Sequence, residues 1–273
     1  MSLLRCPLCA APLVRLERTY ACPGGHSFDI SREGYVHLLP PNQMHSRLPG
    51  DDKAMAAARS RFLSGGYYAH LLEALCALVL EHTGTAPAVL DSGCGEGYYT
   101  AGVYAALAAA GRTPRMAGVD ISKCCLRWAA RREKGVEFAV ASAYRLPVAD
   151  GVADLLVNCF SPLALDEFRR VLRPGGVFLY VVPAPDHLWE LKQVLYERPY
   201  ENPDEAVPYG GFDYLDVARS GRTVTVSQPH LTDLFQMTPY FWKTPKSGAA
   251  RLAALDRLEL RASFRIHVFR KQW

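Results

Sequence analysis

A chain of 273 residues, 49% hydrophobic and 21% charged, has the balance of a globular protein, with room for one α/β domain and a small appendage. No run reaches the roughly 18 apolar residues of a membrane span, and the N-terminus passes straight into Arg5 and Cys6 without a signal-peptide core. Those absences point to a cytoplasmic protein with reduced thiols and no membrane partner, while a net charge of +4 excludes little.

In chain order the first signal is a set of metal ligands. Cys6, Cys9, Cys22 and His26 follow a C-x2-C, twelve residues, C-x3-H pattern. Pro7 lies inside the first pair and Pro23-Gly24-Gly25 inside the second, so both pairs sit on tight turns. Three thiolates and an imidazole complete a zinc tetrahedron with no position open, which suits structure rather than catalysis. Between the pairs, residues 11–21 carry Leu13, Leu16 and Tyr20 among polar neighbours, as in a short two-stranded ribbon. A small disulfide-bonded module is the alternative, and it leaves His26 without a use. The other five cysteines, Cys76, Cys94, Cys124, Cys125 and Cys159, fall in apolar stretches and read as core residues.

Residues 1–40 form this zinc module, closing with Phe28, Ile30, Tyr35, Val36, Leu38 and Leu39 before Pro40-Pro41. From Asn42, Gln43, His45 and Ser46 to Pro49-Gly50 the chain is polar and rich in turn formers, a linker or mobile loop. Asp51 or Asp52 caps a helix over 54–63 that Ser64-Gly65-Gly66 ends, and a second helix spans 67–82; together they make residues 41–87 a linker with helices. Over 88–273 strands and helices alternate. Strands are predicted at 88–91, 116–120, 136–141, 154–160 and 177–182, with helices at 98–110, along the basic stretch Lys123 to Lys134, and at 165–172. That order implies a Rossmann-like, mostly parallel sheet. Strands at 222–226 and 258–269, with a helix at 231–235 between them, make seven strands and an antiparallel finish.

The turn Asp91-Ser92-Gly93-Cys94-Gly95-Glu96-Gly97 follows the first of these strands and opens a helix. Its D-x-G-x-G-x-G spacing departs from the dinucleotide fingerprint that cradles a pyrophosphate. A carboxylate ahead of the glycines suits a cationic ligand instead, and S-adenosylmethionine carries a sulfonium and an amino group. Asp120 ends the next strand, where a carboxylate can take both ribose hydroxyls. Ser142-Ala143 ends the third, beside the expected adenine edge. This stretch resembles the class I S-adenosylmethionine-dependent methyltransferases, a fold that serves many substrates.

Read together, the segments resemble the RlmA-type 23S rRNA (guanine-N1)-methyltransferases, a family that includes the tylosin-resistance enzymes. The matching stretches are Cys6 to Cys9, Cys22 to Asp29, Glu33-Gly34-Tyr35-Val36, Asp91 to Tyr99, Arg173 to Gly176 and His187 to Leu191. The resemblance implies zinc on Cys6, Cys9, Cys22 and His26. It implies cofactor contacts at Tyr68, Gly95, Glu96 and His187, beside Asp91, Gly93 and Asp120 from the residues themselves. It also implies a guanine in a 23S rRNA hairpin as substrate, and a homodimer with an RNA cleft between protomers. The loop Asn158-Cys159-Phe160-Ser161-Pro162 differs from the N-P-P-Y loop of enzymes that methylate exocyclic amines, which fits a ring nitrogen; Phe160 could stack on an extruded guanine. No residue is singled out as the acceptor of the N1 proton, since Asp166 and Glu167 fall on an outer helix.

Charge is uneven. Residues 240–273 carry a net +6, leaving −2 for the remainder, and Lys123, Arg127, Arg131, Arg132 and Lys134 share one helix. Such clusters can track phosphates, although charged runs are commonly just solvated faces. Two other functions remain open to the sequence. A small-molecule (quinone-type) methyltransferase accounts for 88–183 equally well but gives the zinc module no purpose. A zinc-ribbon nucleic-acid binder with a degenerate catalytic domain conflicts with the intact Asp91 turn.

Overall fold

The computed structural model describes residues 2–43, 50–204 and 208–273; the core of the expected linker, 44–49, lies outside them. The zinc module is a three-stranded antiparallel sheet of β1 (Val14–Arg15), β2 (Thr19–Ala21) and β3 (Ser27–Asp29), one strand more than the ribbon read from sequence. The next strand, β4 (Tyr35–His37), leaves it and pairs in parallel with a strand of the main sheet. Helices α1 (Lys53–Ser64) and α2 (Ala69–Glu81) follow. The Asp52 carboxylate caps α1 by accepting the Met55 N–H at 2.9 Å, which settles the choice between the two aspartates.

The main unit runs β5 (Ala88–Ser92), α3 (Tyr98–Ala109), β6 (Arg115–Asp120), α4 (Lys123–Arg132), β7 (Glu137–Val140), β8 (Ala153–Cys159), α5 (Leu165–Val171), β9 (Leu172–Pro183) and α6 (Trp189–Leu195). It ends with β10 (Phe212–Ser227), α7 (His230–Gln236), α8 (Tyr240–Lys243), α9 (Lys246–Ala253) and β11 (Arg257–Lys271). The sheet order is β10-β11-β9-β8-β5-β6-β7-β4, so the seven expected strands gain an eighth from the N-terminal module. Pairings from β4 to β9 are parallel, and β11 is antiparallel to both β9 and β10. The chain leaves β5 toward β6 and returns beyond it to β8, which opens a crevice at the carboxyl ends of those strands.

Four elements differ from expectation for local reasons. The Pro174-Gly175-Gly176 stop is a bulge inside β9: Ala153 pairs with Leu172 and Leu155 with Val177, so the ladder continues across it. β10 begins ten residues earlier than read, because an edge strand carrying Asp213, Asp216 and Arg219 lacks an apolar alternation. Helices α8 and α9 were not anticipated; each is short and begins directly after a proline, Pro239 and Pro245.

The two faces of the sheet are covered differently. Helices supply one face, with Phe62, Leu71, Leu75, Val103, Leu126, Leu191, Leu234 and Leu252 in a single apolar cluster. On the other face α5 shares the cover with the zinc module, whose Leu3, Leu4, Leu13 and Tyr20 pack with Val36, Leu90, Ala139 and Phe178. Glu137 at the start of β7 pins that module by accepting the Leu3 N–H at 3.0 Å and the Tyr20 hydroxyl at 2.8 Å. The zinc module is thus part of the sheet's core, not a free appendage.

Candidate active site

The crevice is a cleft of about 740 Å³, and Tyr68, Asp91, Gly93, Gly95, Glu96, Asp120 and His187 all line it. The Asp91 turn is shaped by its glycines. Gly93 has φ +83°, and a Cβ there would lie 1.8 Å from Ser161 Oγ, so the turn and the loop after β8 touch only because that position is bare. Gly97, at φ +82°, lets α3 start against Ala129 of α4, 2.8 Å from where a Cβ would be.

Asp91 is buried; one carboxylate oxygen accepts the Thr100 hydroxyl at 2.6 Å, and the other has no partner among the described residues. Burial pushes its pKa up to about 7. Ser92 Oγ, Tyr99 Oη and Asn158 Oδ1 are also buried without a partner among the described residues. Of these residues Asp91 and Tyr99 line the cleft, and their orphaned oxygens fit a polar, cationic ligand seated there. Asp120 is held differently: its two oxygens accept the Gly95 N–H at 2.9 Å and the Ser122 N–H at 2.7 Å. These bonds aim the carboxylate from the end of β6 into the cleft, although burial raises its pKa.

Tyr68 and His187 meet across 119 residues of sequence, Tyr68 Oη lying 3.4 Å from His187 Nε2. The Ser263 N–H donates to His187 Nδ1 at 3.2 Å, which puts the ring proton on Nε2. Burial keeps the imidazole neutral, its pKa pushed down to about 3. With Nε2–H donating to Tyr68, the tyrosine hydroxyl proton remains for an acceptor in the cleft. No local pattern marks either residue, since the pair exists only through α2, β9 and β11 together. Glu96 lines the cleft with its carboxylate bound to Arg132 at 2.6 Å. Sequence reasoning also missed Asp51 and Arg59, an ion pair at the cleft wall in which Arg59 reaches the Met237 carbonyl at 3.2 Å.

The opposite wall is aromatic. Phe160 has φ +54°, unusual for a residue with a side chain and a mark of functional strain. It is 48% exposed, and its ring lies 6.4 Å from Tyr99 and 5.6 Å from Phe264. Asn158 closes the loop behind it by donating to the Ser92 and Pro162 carbonyls at 3.1 and 3.2 Å. Asp166 and Glu167 on α5 pair with Arg169 and Arg170 and do not line the cleft. Tyr240 also faces the cleft, its hydroxyl 3.4 Å from Asn202 Oδ1 and its ring 5.7 Å from the buried Lys192 ammonium.

The ligand atoms of Cys6, Cys9, Cys22 and His26 all lie within 4.8 Å of one another. His26 Nδ1 is 3.5 Å from Cys6 Sγ and 3.4 Å from Cys22 Sγ, and the Cys9 and Cys22 sulfurs are 3.6 Å apart. Tetrahedral zinc with bonds of about 2.3 Å to sulfur and about 2.0 Å to nitrogen needs ligand separations of about 3.5–3.8 Å, so the donor set fits. The basic clusters are partly spent inside the fold. Arg132 binds Glu96, Arg131 binds Glu33, Arg261 binds Asp186 and Glu190, and Arg265 binds Asp204.

Comparison with known proteins agrees with this geometry. Residues 4–47 match the family described as RlmA, N-terminal, and residues 89–176 match a methyltransferase domain. A 23S rRNA (guanine(748)-N(1))-methyltransferase of Streptomyces fradiae is 36% identical over 92% of this chain and 90% of its own. A putative 23S rRNA (guanine-N(1)-)-methyltransferase of Bacillus subtilis is 31% identical over 95% and 94%. The crystal structure of the Bacillus YcgJ protein superposes with a TM-score of 0.50 at 17% identity, covering 75% of this chain and all but 1% of that one, a likeness of fold alone. A zinc ribbon built into the core of an S-adenosylmethionine-dependent methyltransferase, with that identity along nearly the whole length, places the chain in the RlmA family of 23S rRNA (guanine-N1)-methyltransferases.

Proposed function

We propose that this protein transfers a methyl group to N1 of a guanine in a 23S rRNA hairpin. The observation that carries the reading is the joint one: a cofactor cleft with an aromatic wall, on a sheet whose second face is completed by the zinc ribbon of this family. Bound S-adenosylmethionine supplies an electrophilic methyl group. Asp91 would hold its amino group, Tyr68 with His187 its carboxylate, and Asp120 its ribose. Gly93, Gly95 and Glu96 shape the turn between them, while Ser142-Ala143 leaves the adenine to backbone or water contacts.

Phe160, half exposed on its strained turn, stacks the extruded guanine and presents N1 to the methyl group. Residues 1–40, with zinc on Cys6, Cys9, Cys22 and His26, form the RNA-recognition module; 41–87 supply the linker and two helices, and 88–273 the methyltransferase domain. Cytoplasmic location, a homodimer gripping RNA between protomers, and antibiotic resistance belong to the same reading. Light scattering at twice the chain mass checks the dimer. The quinone-type alternative is weaker, because the relatives matched along nearly the whole chain are 23S rRNA (guanine-N1)-methyltransferases.

The test is methylation of unmodified 23S rRNA by the purified protein with S-adenosylmethionine. N1 methylation blocks the Watson–Crick edge, so reverse transcription should halt at one guanine. An unchanged transcript, from protein that binds the cofactor by calorimetry, overturns the reading.

A further inference from the structure

Three consecutive aromatic residues on α8 face three ways. Tyr240 lines the cleft beside Lys192. Phe241 packs edge-on against the buried Phe235, with ring centroids 5.4 Å apart, which anchors the short helix to α7. Trp242 stands out into solvent, 67% exposed, its ring centroid 5.1 Å from that of Phe241. An indole left outside by a turn that its two neighbours already hold is not needed for packing, and its position follows directly from the cleft-lining run Met237–Tyr240.

The charge around it is one-sided. Residues 237–255 contain Lys243, Lys246 and Arg251 and no acidic residue. Lys243 and Lys246 are exposed and have no ion pair among the described residues. Arg251 donates only to the Val194 and Leu195 carbonyls, so its charge is not cancelled. An exposed aromatic face beside uncompensated lysines is the combination that holds an unpaired nucleotide: the ring stacks on the base and the ammonium groups meet the phosphates. Extruding one guanine from a hairpin leaves its neighbour unstacked on one side, a loss that another flat surface can make good.

We propose that Trp242 is that surface: it stacks on the nucleobase next to the target guanine while Lys243 and Lys246 hold the adjoining phosphates. The inference rests on the rRNA reading above and adds a second base-binding site outside the cleft. Trp242 does not touch the methyl group or the target base, so it acts on RNA positioning alone.

Methylation of a synthetic hairpin is the test, with the target guanine intact and each flanking nucleotide made abasic in turn. Trp242→Ala should lower kcat/KM about 10-fold through KM, Trp242→Phe should restore most of it, and S-adenosylmethionine affinity should be unchanged. One abasic hairpin should cost the wild-type enzyme a similar factor and cost Trp242→Ala nothing further. Lys243→Gln with Lys246→Gln should flatten the salt dependence of binding by about 0.7 in log–log slope per phosphate lost. Trp242→Ala activity within twofold of wild type, or losses that multiply with every abasic hairpin, overturns the stacking site while the rRNA reading stands. Failure of the wild-type enzyme to methylate any hairpin overturns both.

Discussion

The two walls of the cleft are built on opposite terms. The wall proposed for the cofactor is buried: Asp91 and Asp120 sit at the ends of adjacent strands, Asp91 bound by the Thr100 hydroxyl and Asp120 by backbone N–H groups, and a Cβ at Gly93 or Gly97 would clash. The wall proposed for the base is exposed and side-chain-built, with Phe160 half open and Tyr240 on a four-residue helix. A cofactor of fixed shape rewards a rigid cradle, whereas a base swung out of an RNA hairpin needs surfaces that it can reach from solvent. The difference teaches where specificity is written: in aromatic residues on short connections, not in the glycine turn shared with many methyltransferases.

The strongest way to break the contrast is to remove what both walls share. Cys9→Ser, or chelation, takes away a closed zinc site of the kind that supplies on the order of 10 kcal/mol in small modules. Because Leu4, Leu13 and Tyr20 belong to the core of the sheet, melting should fall by about 10 °C or more, with both cofactor binding and methylation weakened. Retention of full cofactor affinity in a zinc-free protein would show that the module is coupled to the RNA side alone.

Next in size is Asp91→Asn, which removes a charge-assisted contact at the cofactor wall. S-adenosylmethionine affinity should drop about 100-fold in calorimetry with hairpin binding intact. Phe160→Ala acts on the other wall; kcat/KM for RNA should fall about 10-fold while cofactor affinity holds. If either variant lowers both affinities equally, the walls are not separable.

The smallest effect is one of pH. The folded-state pKa of Asp91, pushed up to about 7, leaves it largely protonated below neutrality, whereas an unfolded aspartate ionises near 4. A cationic amino group requires the carboxylate, so cofactor affinity should weaken as pH falls through 7, by up to about 10-fold per unit. In the cofactor-free protein the sign reverses. The folded state then holds the extra proton, so the Asp91 contribution to stability should decline as pH rises from about 4 to about 7. Asp91→Asn should remove both trends, which differential scanning and titration calorimetry would measure.

Legibility in the sequence follows the same division. The Asp91 turn, Asp120 and the four zinc ligands are readable because each is a local spacing with a chemical meaning, and the parallel strands announce themselves as apolar runs. Tyr68 and His187 are legible only through family resemblance, since their meeting depends on three distant elements. Phe160 is visible as a loop residue, but its left-handed backbone and exposure are not. The start of β10 and the whole of α8 and α9 escape, for a charged edge strand and short helices behind prolines lack the periodicity by which elements are recognised.

The eighth strand carries a consequence for the life of the protein in the cell. A parallel sheet that ended at β7 would offer bare amide and carbonyl groups to any extended chain nearby. Here β4 covers that border, and β4 belongs to the module that the zinc ligands staple. At the opposite border β10 protects itself with Asp213, Asp216, Arg219 and Arg222. One margin is guarded by charge and the other by a strand of the N-terminal module. Zinc shortage in the cell should therefore bare the β7 edge, and metal-stripped protein should self-associate in light scattering.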